Sequence, residues 1–286
     1  MEAGIFLIIF KPCFQITYTF QIVTLLNYLI VTLKMTTLLY DGSFDGLFTA
    51  VFEVFEYRYK DVEIISRERF HQENIFAEIH EVITQNDKSE RVLNKLEKNI
   101  GKQGIHELLK VYLSEDPEAE QLILSAVRQS IKHPDENILQ NYADEAILKI
   151  SKICKSVSRE RHRMTAFVRF EKMQDDVFFA KIDPDFNVLP LIRKHFKDRY
   201  QDQKWMIYDL RRNYGLLYDL ETCDFFYPDE KVDLNKYEQK FHDQEKNYQT
   251  LWQRYFIKTN IVERKNLKLH LQHVPKRYWK YLTEKW

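Results

Sequence analysis

The stretch from Ser158 to Asp219 constrains the fold more than any other part of the chain. It contains four short runs rich in β-branched and aromatic residues and separated by polar turns, a pattern typical of strands. Residues 167–170 are predicted to pair with residues 177–182, and residues 205–208 with residues 216–218. The sequence therefore predicts two hairpins, and with them an antiparallel or mixed sheet.

One helix is predicted between the two hairpins. Asp183, Pro184 and Asp185 interrupt the strand pattern, and apolar residues then recur at helical spacing from Val188 to Tyr200. The predicted fold class is α+β, with a sheet built from two hairpins, helices packed on it, and a separate helical lobe.

Ahead of the sheet, the chain is predicted to begin with a short α/β segment. Residues 37–40 and 62–65 have strand-like patterns, and Ser43 stands at the position of an N-cap. An apolar stripe after Ser43 predicts a helix of about four turns with one buried face. The stripe consists of Phe44, Leu47, Phe48, Val51, Phe52 and Phe55, whereas Thr49, Glu53 and Glu56 are expected to face water.

The remaining segments complete a single predicted domain over residues 35–286. Residues 70–157 have the pattern of consecutive helices with short polar joints, which predicts the helical lobe. The sheet block is predicted over residues 158–222. A C-terminal helix and a basic tail are predicted over residues 233–286.

Residues 1–34 differ from the rest of the chain, because they are nearly uncharged and rich in Ile, Phe, Leu and Thr. A signal peptide would need a positive start and small residues at a cleavage site, which this segment lacks. A membrane helix would need about 20 apolar residues, and Lys11 and Gln21 are among the polar interruptions. We therefore favour a third interpretation, in which Met35 is the true start and residues 1–34 are a mis-assigned extension.

Composition limits the partners and the compartment. The chain has 43 Lys and Arg and 43 Asp and Glu, so attraction to a polyanion must come from local clusters. Cys13, Cys154 and Cys223 are far apart, which suggests neither a zinc motif nor a disulfide framework. His270 and His273 have no acidic residue or Cys within two positions. We expect a cytoplasmic protein without a bound metal or cofactor.

Basic residues concentrate at the entrance to the first hairpin, at the tip of the second hairpin and in the C-terminal tail. In the tail they alternate with aromatic residues, as they do where bases stack beside a bound phosphate backbone. The alternative is that these aromatic residues only attach the tail to the body of the protein. The candidate nucleic-acid-binding residues are Arg159, Arg161, Arg163, Arg211, Arg212, Arg264, Lys265, Lys276, Arg277, Trp279 and Lys280.

The candidate catalytic residues are fewer. The sequence contains no CxxxCxxC motif, no GxxxxGK[ST] phosphate loop and no HExxH motif. His162 lies between two arginines, which favour its neutral form and would suit a general base. Asp209 and Asp219 end two predicted paired strands, so they are candidates for a carboxylate pair or for ion pairs with Arg211 and Arg212. A hydrogen-bonded structural role for His162 remains open.

Four parts of the chain resemble a known family. They are residues 39–46 (LYDGSFDG), 159–170 (RERHRM followed by FVRF), 183–190 (DPDFNVLP) and 275–280 (PKRYWK). On these motifs the chain is similar, from Met35 to about Glu284, to the bacterial family described as "probable DNA metabolism protein". Members are typically encoded beside a radical-SAM protein of DNA modification or repair, and some are fused to a uracil-DNA-glycosylase family domain. The resemblance implies no catalytic residues.

The resemblance and the basic clusters together predict an accessory nucleic-acid-binding protein of DNA repair or modification. Its expected partners are a radical-SAM protein and DNA, single-stranded DNA included, with no membrane association. Because the sequence lacks a cluster-binding cysteine motif, radical-SAM chemistry would belong to the partner. The alternative is a glycosylase-like or hydrolytic enzyme on nucleic acid that uses His162 with Asp209 or Asp219. A buried His162 beside one of these carboxylates would favour the enzyme, and an open basic groove would favour the binding protein.

Overall fold

The computed structural model describes residues 36–71, 78–230, 241–259, 261 and 266–285. It is a mixed α+β protein, which confirms the predicted fold class. The predicted extension at residues 1–34 lies outside the described residues. The contacts divide the chain into two compact units. Unit 1 comprises Met1–Tyr112 and Asp116–Ser151, and unit 2 comprises Leu113–Glu115 and Lys152–Trp286.

Unit 1 is built on a three-stranded parallel sheet. Strand β1 (Thr36–Tyr40) lies between β2 (Val62–Ser66) and β3 (Glu78–Glu81). Helix α1 (Phe44–Glu56) connects β1 to β2, and the side chain of its N-cap, Ser43, accepts a hydrogen bond from a backbone N–H of the first turn. The first two predicted strands, the N-cap and the helix between them are therefore confirmed.

Helix α1 does not bury the face that the apolar stripe predicted. Thr49 and Glu53 are buried, although both were expected to face water, and Phe55 is 38% exposed although it belongs to the stripe. The burial of Glu53 is compensated, because its carboxylate binds the ring Nε2 of His80 at 2.8 Å and Nζ of Lys88 at 3.1 Å. Partners supplied by distant parts of the chain thus make a polar residue acceptable in the interior.

Among the described residues, the helical segment of the chain contains three long helices and one strand. Helix α2 (Asn86–Leu113) is kinked at Gly101, where φ is 71°, and α3 (Ala119–Lys132) follows it. A 3-10 helix at Ile138–Gln140 then precedes helix α4, which covers Glu145–Phe167. Residues 70–157 were predicted to form consecutive helices, and the structure differs near the start of this segment, where β3 lies. Most side chains of β3 are exposed, so this short edge strand has no apolar alternation to reveal it.

Unit 2 is built on a mixed five-stranded sheet. Strands β5 (Phe178–Ile182) and β6 (Trp205–Asp209) are parallel and are connected by helix α5 (Leu189–Arg199), while the other neighbouring pairs are antiparallel. The second hairpin and the helix before it are therefore confirmed. In spatial order the strands are β4 (Glu171–Lys172), β5 (Phe178–Ile182), β6 (Trp205–Asp209), β7 (Tyr214–Tyr218) and β8 (Cys223–Phe226).

The first hairpin differs from its prediction. Helix α4 continues to Phe167, and the N–H of Val168 still donates to the carbonyl of Met164 at 3.3 Å. The predicted strand at 167–170 was therefore wrong, and only the two residues of β4 pair with β5. Tertiary packing overrides the strand propensity here, because the ring of Phe170 packs against aromatic side chains of α5 and β6. Strand β8 also forms directly after residue 222, where the predicted sheet block ended.

The sheet of unit 2 is buried on both faces. On one face Trp205 and Ile207 pack together with buried residues of α4 and α5. On the other face Phe179 and Tyr208 pack with Met173. This alternation follows from the period of two in a strand, since successive side chains point to opposite faces.

The C-terminal segment adds helices α6 (Glu245–Thr259) and α7 (Leu267–His273). Two 3-10 helices follow, at Lys276–Tyr281 and Thr283–Lys285. Tyr278 in the first of them is buried in the same core as the sheet and α5, so it attaches this end of the chain to unit 2.

Candidate functional site

A cleft of about 760 Å³ lies within unit 2. The end of α4, the end of α5, the start of β6 and the first two turns of α6 form its sides. Its volume is within the range of about 300–1,000 Å³ that is usual for small-molecule sites. The site is not evident from the sequence, because the elements around it are far apart in the chain. The helical spacing of Tyr248, Trp252 and Tyr255 is a local signal that points toward it.

One side of the cleft is an aromatic surface. The ring centroid of Phe170 lies 5.4 Å from that of Tyr200 and 6.2 Å from that of Trp205, in tilted or edge-on arrangements. The indole Nε1 of Trp205 donates to the carbonyl of Tyr200 at 3.2 Å, so the buried ring is also held by a hydrogen bond. This surface is therefore preformed and needs no ligand to order it.

Another wall of the cleft belongs to α6, and a buried carboxylate fixes it. Nε1 of Trp252 donates to Oε2 of Glu284 at 2.9 Å, and the Arg169 guanidinium donates to both oxygens of the same carboxylate, at 3.3 and 2.7 Å. Arg169 also lies over the Trp252 ring, 5.8 Å from its centroid. Burial alone would raise the pKa of Glu284, but the hydrogen bonds from Arg169 and Trp252 hold it below its usual value. The carboxylate is therefore ionised at neutral pH and orients the indole.

A pair of carboxylates also fixes the amide of Gln249 in the cleft. Its Nε2 donates to Oε1 of Glu171 and to Oε1 of Glu245, each at 3.2 Å. The other oxygen of Glu245 accepts from the backbone N–H of Lys172 at 2.9 Å. Because both amide protons of Gln249 are directed at carboxylates, its carbonyl oxygen is left as a hydrogen-bond acceptor.

The cleft also has a cation at its edge. Arg199, the last residue of α5, is exposed, and its guanidinium lies 5.7 Å from the centroid of the Tyr200 ring. Within the described part of the chain, Arg199 makes no ion pair. An anionic group beside the aromatic surface would therefore find an available partner.

A second group of polar side chains surrounds the loop at residues 183–187, and we call it the ionic cluster. It contains five acidic and five basic side chains, so their formal charges cancel. The acidic members are Glu115, Glu160, Asp183, Asp185 and Asp209, and the basic members are Arg163, Arg211, Arg212, Arg277 and Lys280.

Arg212 is the most buried cation of the ionic cluster, with a side chain that is 9% exposed. Its guanidinium donates to both oxygens of Glu115 at 2.8 and 2.7 Å, and to Oδ2 of Asp209 at 2.9 Å. It also donates to the carbonyls of Pro184 and Asp185 at 3.2 and 3.1 Å. These five bonds use all five N–H donors of the side chain, so Arg212 has none left for a phosphate.

The other cations of the ionic cluster are also engaged. Arg211 and Lys280 each bind the carboxylate of Asp183 at 3.3 Å, and Arg277 binds Glu160 at 2.7 Å. Burial acts to raise the pKa of Asp183, but Lys280 and Arg211 lower it below its usual value. The ionic cluster is therefore a neutral network that joins the loop, the hairpin tip and the C-terminal 3-10 helix of unit 2.

The remaining candidates for phosphate binding lie elsewhere. Arg159 and Arg161 are exposed on helix α4 and not at the start of a strand, and Lys276 is exposed in the C-terminal 3-10 helix. These three cations make no ion pair with any described residue. Arg264 and Lys265 lie outside the described residues.

Two aromatic residues of the C-terminal tail, Tyr278 and Trp279, already make contacts within unit 2. Nε1 of Trp279 donates to the carbonyl of Val274 at 3.0 Å, and its ring packs against the core of unit 2. Tyr278 is buried and donates to Glu160 at 2.6 Å. Burial raises the pKa of Tyr278 to about 12, and the hydrogen bond to Glu160 acts in the same direction. The contacts of both residues are those expected if they attach the tail to the body.

The three catalytic candidates are not brought together. His162 is exposed on α4, and within the described residues its side chain makes no hydrogen bond. Asp209 faces Tyr214 across the hairpin, whereas Asp219 lies beyond the pair formed by Trp205 and Tyr218. Four strand residues, about 14 Å, therefore separate the two ends, so Asp209 and Asp219 do not form a carboxylate pair.

Each aspartate has a separate structural role. Asp209 pairs with Arg212, and burial raises its pKa while Arg212 opposes the rise. The exposed Asp219 accepts hydrogen bonds from the backbone N–H groups of Glu221 and Thr222, which lower its pKa. This arrangement does not provide the acid and base that the enzyme alternative would require.

The protein is therefore an α+β protein whose second unit contains a cleft lined by aromatic side chains. A family model for a domain of unknown function, DUF4130, matches residues 117–284, which is more than half of the 286-residue chain. The chain therefore belongs to the DUF4130 family. No curated protein matches it. Among the described residues, no helix has the length and apolar character needed to cross a membrane.

Proposed function

We propose that this protein is an accessory factor that binds single-stranded nucleic acid and acts with a radical-SAM protein in DNA repair or modification. The observation that supports nucleic-acid binding is a row of exposed aromatic side chains on α6. Tyr248, Trp252 and Tyr255 are 55%, 40% and 60% exposed, and they share one helical face at positions i, i+4 and i+7. The rings of Trp252 and Tyr255 are stacked, with centroids 5.7 Å apart.

Such a row suits stacking with bases. Contiguous apolar surface that stays exposed commonly marks a binding site, since leaving it in water is unfavourable. Aromatic rings stack on bases of any sequence, because every base has a π face. The aromatic row begins at the cleft, where Tyr248 and Trp252 are lining residues, and continues along α6 to Tyr255.

Exposed cations accompany the aromatic row. Arg254 and Lys258 lie on the same helix, and Arg199 lies at the edge of the cleft. None of the three makes an ion pair within the described residues, so each is available to a phosphate. The cations of the ionic cluster are already paired, so they are not expected to take part in this binding.

The proposal that a radical-SAM protein is the partner rests on the family resemblance and on the lack of a cluster-binding cysteine motif in this sequence. The similar bacterial family is typically encoded beside a radical-SAM protein, and the sequence contains no CxxxCxxC motif that could hold the iron–sulfur cluster. In this proposal the partner carries the chemistry, and the present chain holds the strand.

Replacing Tyr255 with Ala is expected to weaken binding of a fluorescent single-stranded DNA by about 1–3 kcal/mol, because one stacking ring is removed. Replacing Arg254 and Lys258 with Gln is expected to flatten the plot of log affinity against log salt by about 0.7 for each phosphate that is no longer neutralised. The Tyr255 variant should keep the wild-type slope. Titrations at several salt concentrations measure both effects.

Tyr142 provides a matched control, since it is a tyrosine of unit 1 with a similar exposure of 57%. Tyr142→Ala should bind the DNA as wild type does. The absence of any binding of the wild-type protein to single-stranded DNA or RNA at low salt would refute the nucleic-acid half of the proposal.

The partner half is tested by recovering the tagged protein from a bacterium that encodes it, with and without nuclease treatment. We expect a radical-SAM protein to be recovered in both samples. Recovery only without nuclease would mean that the two proteins merely share a nucleic acid, and recovery in neither sample would contradict the partnership.

A further inference from the structure

The cleft has the features of a site for one planar, polar ring. Phe170 and Tyr200 give it a preformed aromatic side, with the buried Trp205 packed against Phe170, and Tyr248 and Trp252 supply further aromatic rings. Trp252 is held in place by its hydrogen bond to Glu284. A base inserted between such surfaces exchanges stacking on its neighbours for stacking on protein, which is how proteins hold an unpaired base.

The polar groups in the cleft can recognise the edge of such a ring. The carbonyl oxygen of Gln249 points away from two carboxylates that hold its amide nitrogen, so its role as an acceptor is fixed. It suits a ring N–H or an exocyclic amino group of a base. Gln203 and His195 also line the cleft, and neither makes a hydrogen bond through its side chain within the described residues.

The charge at the edge of the cleft suits a nucleotide better than a free base. Arg199 lies beside the aromatic surface and is available to a phosphate. The cleft also adjoins the exposed row on α6, where the rest of a strand would lie in the proposed function. A single nucleotide of the bound nucleic-acid strand can therefore enter the cleft while the neighbouring nucleotides remain outside.

We propose that the cleft is a pocket for one unpaired nucleobase, with the phosphate of that nucleotide on Arg199 and a base N–H donating to Gln249. This inference rests on the proposed function, since it assigns one nucleotide of the bound strand to a defined pocket. It goes beyond that function because stacking on α6 alone would not select an unpaired base within a duplex.

The test compares two duplexes that differ only at a central one-nucleotide bulge, which carries a base in one and an abasic sugar in the other. The phosphate charge is the same in both. The wild-type protein is expected to bind the duplex with the bulged base at least about fivefold more tightly, since this is the lower end of the contribution of one stacked base. Gln249→Leu is expected to reduce this ratio, because it removes the fixed acceptor.

Ala166→Trp fills the mouth of the cleft without removing a polar side chain, because Ala166 is an exposed lining residue. This variant is expected to lower the ratio between the two duplexes to about one, while it keeps the salt slope of single-strand binding. Ala143→Trp places the same side chain on an exposed alanine of unit 1, and it should leave the ratio unchanged.

Calorimetry with deoxynucleoside 5′-monophosphates separates this proposal from the proposed function. If single-stranded DNA binds but the wild-type ratio is about one, the pocket is refuted and the proposed function stands. If no strand binds but a monophosphate binds in a way that Ala166→Trp abolishes, the pocket stands and the proposed function fails. If neither ligand binds, both are refuted.

Discussion

Asp209→Ala is expected to destabilise the protein by about 3–5 kcal/mol, which is the usual effect of removing one partner from a buried ion pair. Asp209 is fully buried, with an exposed fraction of 0%. Its Oδ2 accepts from the Arg212 side chain at 2.9 Å, and its Oδ1 accepts from the backbone N–H groups of Arg211 and Arg212 at 2.9 and 3.1 Å. The variant leaves one guanidinium proton and two backbone protons without an acceptor. Denaturant unfolding measures the loss of stability.

Asp219→Ala is the matched control for this prediction. Asp219 also accepts two backbone N–H groups in a turn, but it lies in water at the opposite end of the same hairpin. We expect a much smaller effect, because water can replace the missing acceptor. The loss of stability in Asp209→Asn should lie between those of Asp209→Ala and Asp219→Ala, since asparagine keeps one acceptor oxygen but removes the charge. A stable Asp209→Ala variant without a nucleic-acid reaction that the wild type performs would contradict the structural role and would restore the enzyme alternative.

The parts of the fold that the sequence predicts are those set by local interactions. The hairpin of β6 and β7 is one example, since short apolar runs flank a turn in which Asn213 adopts a φ of 54°. Gly215 follows the same turn, and its φ is not positive. A Cβ there would lie 2.3 Å from the ring of Phe226 and 2.6 Å from the carbonyl of Ile207, so close packing requires the glycine.

Charge pairing is the feature that the sequence could not predict. Arg212 is separated from Glu115 by 97 residues, and Arg277 from Glu160 by 117. Counting basic residues along the sequence therefore suggests positively charged clusters. In the folded protein, acidic side chains from distant segments lie beside several of these basic residues and neutralise them. The C-terminal tail has an excess of basic residues in sequence, yet Arg277 and Lys280 are paired in unit 2.

The cleft was missed for the same reason. Its wall depends on the contact of Arg169 with Glu284, which lie 115 residues apart. Local patterns place Trp252 on one face of a helix, but they do not say whether that face enters the core or borders a cleft. Whether this face of α6 is buried or borders the cleft depends on which residues of the C-terminal 3-10 helices contact α6. Such contacts arise only when the chain has folded, so local sequence patterns do not reveal them.

Phe48→Ala is expected to destabilise unit 1 by about 3–5 kcal/mol, the usual result of truncating a phenylalanine in a well-packed core. Phe48 has an exposed fraction of 0%, and its ring packs edge-on against Phe44 with centroids 4.8 Å apart. Since α1 connects β1 and β2, the cavity would lie beneath the element that joins the strands of the parallel sheet. Hydrogen exchange of the β1 amides, together with denaturant unfolding, would locate the destabilisation in unit 1.

Phe55→Ala makes the same chemical change on the same helix at a side chain that is 38% exposed. We expect it to destabilise by less than about 1 kcal/mol, because little apolar surface is removed from the interior and no closed cavity forms. Comparing the two variants therefore isolates the effect of side-chain burial on stability, because the chemical change and the change in helix propensity are the same in both. Equal destabilisation by the two variants would mean that helix formation, and not packing of α1 against the sheet, determines the stability of unit 1.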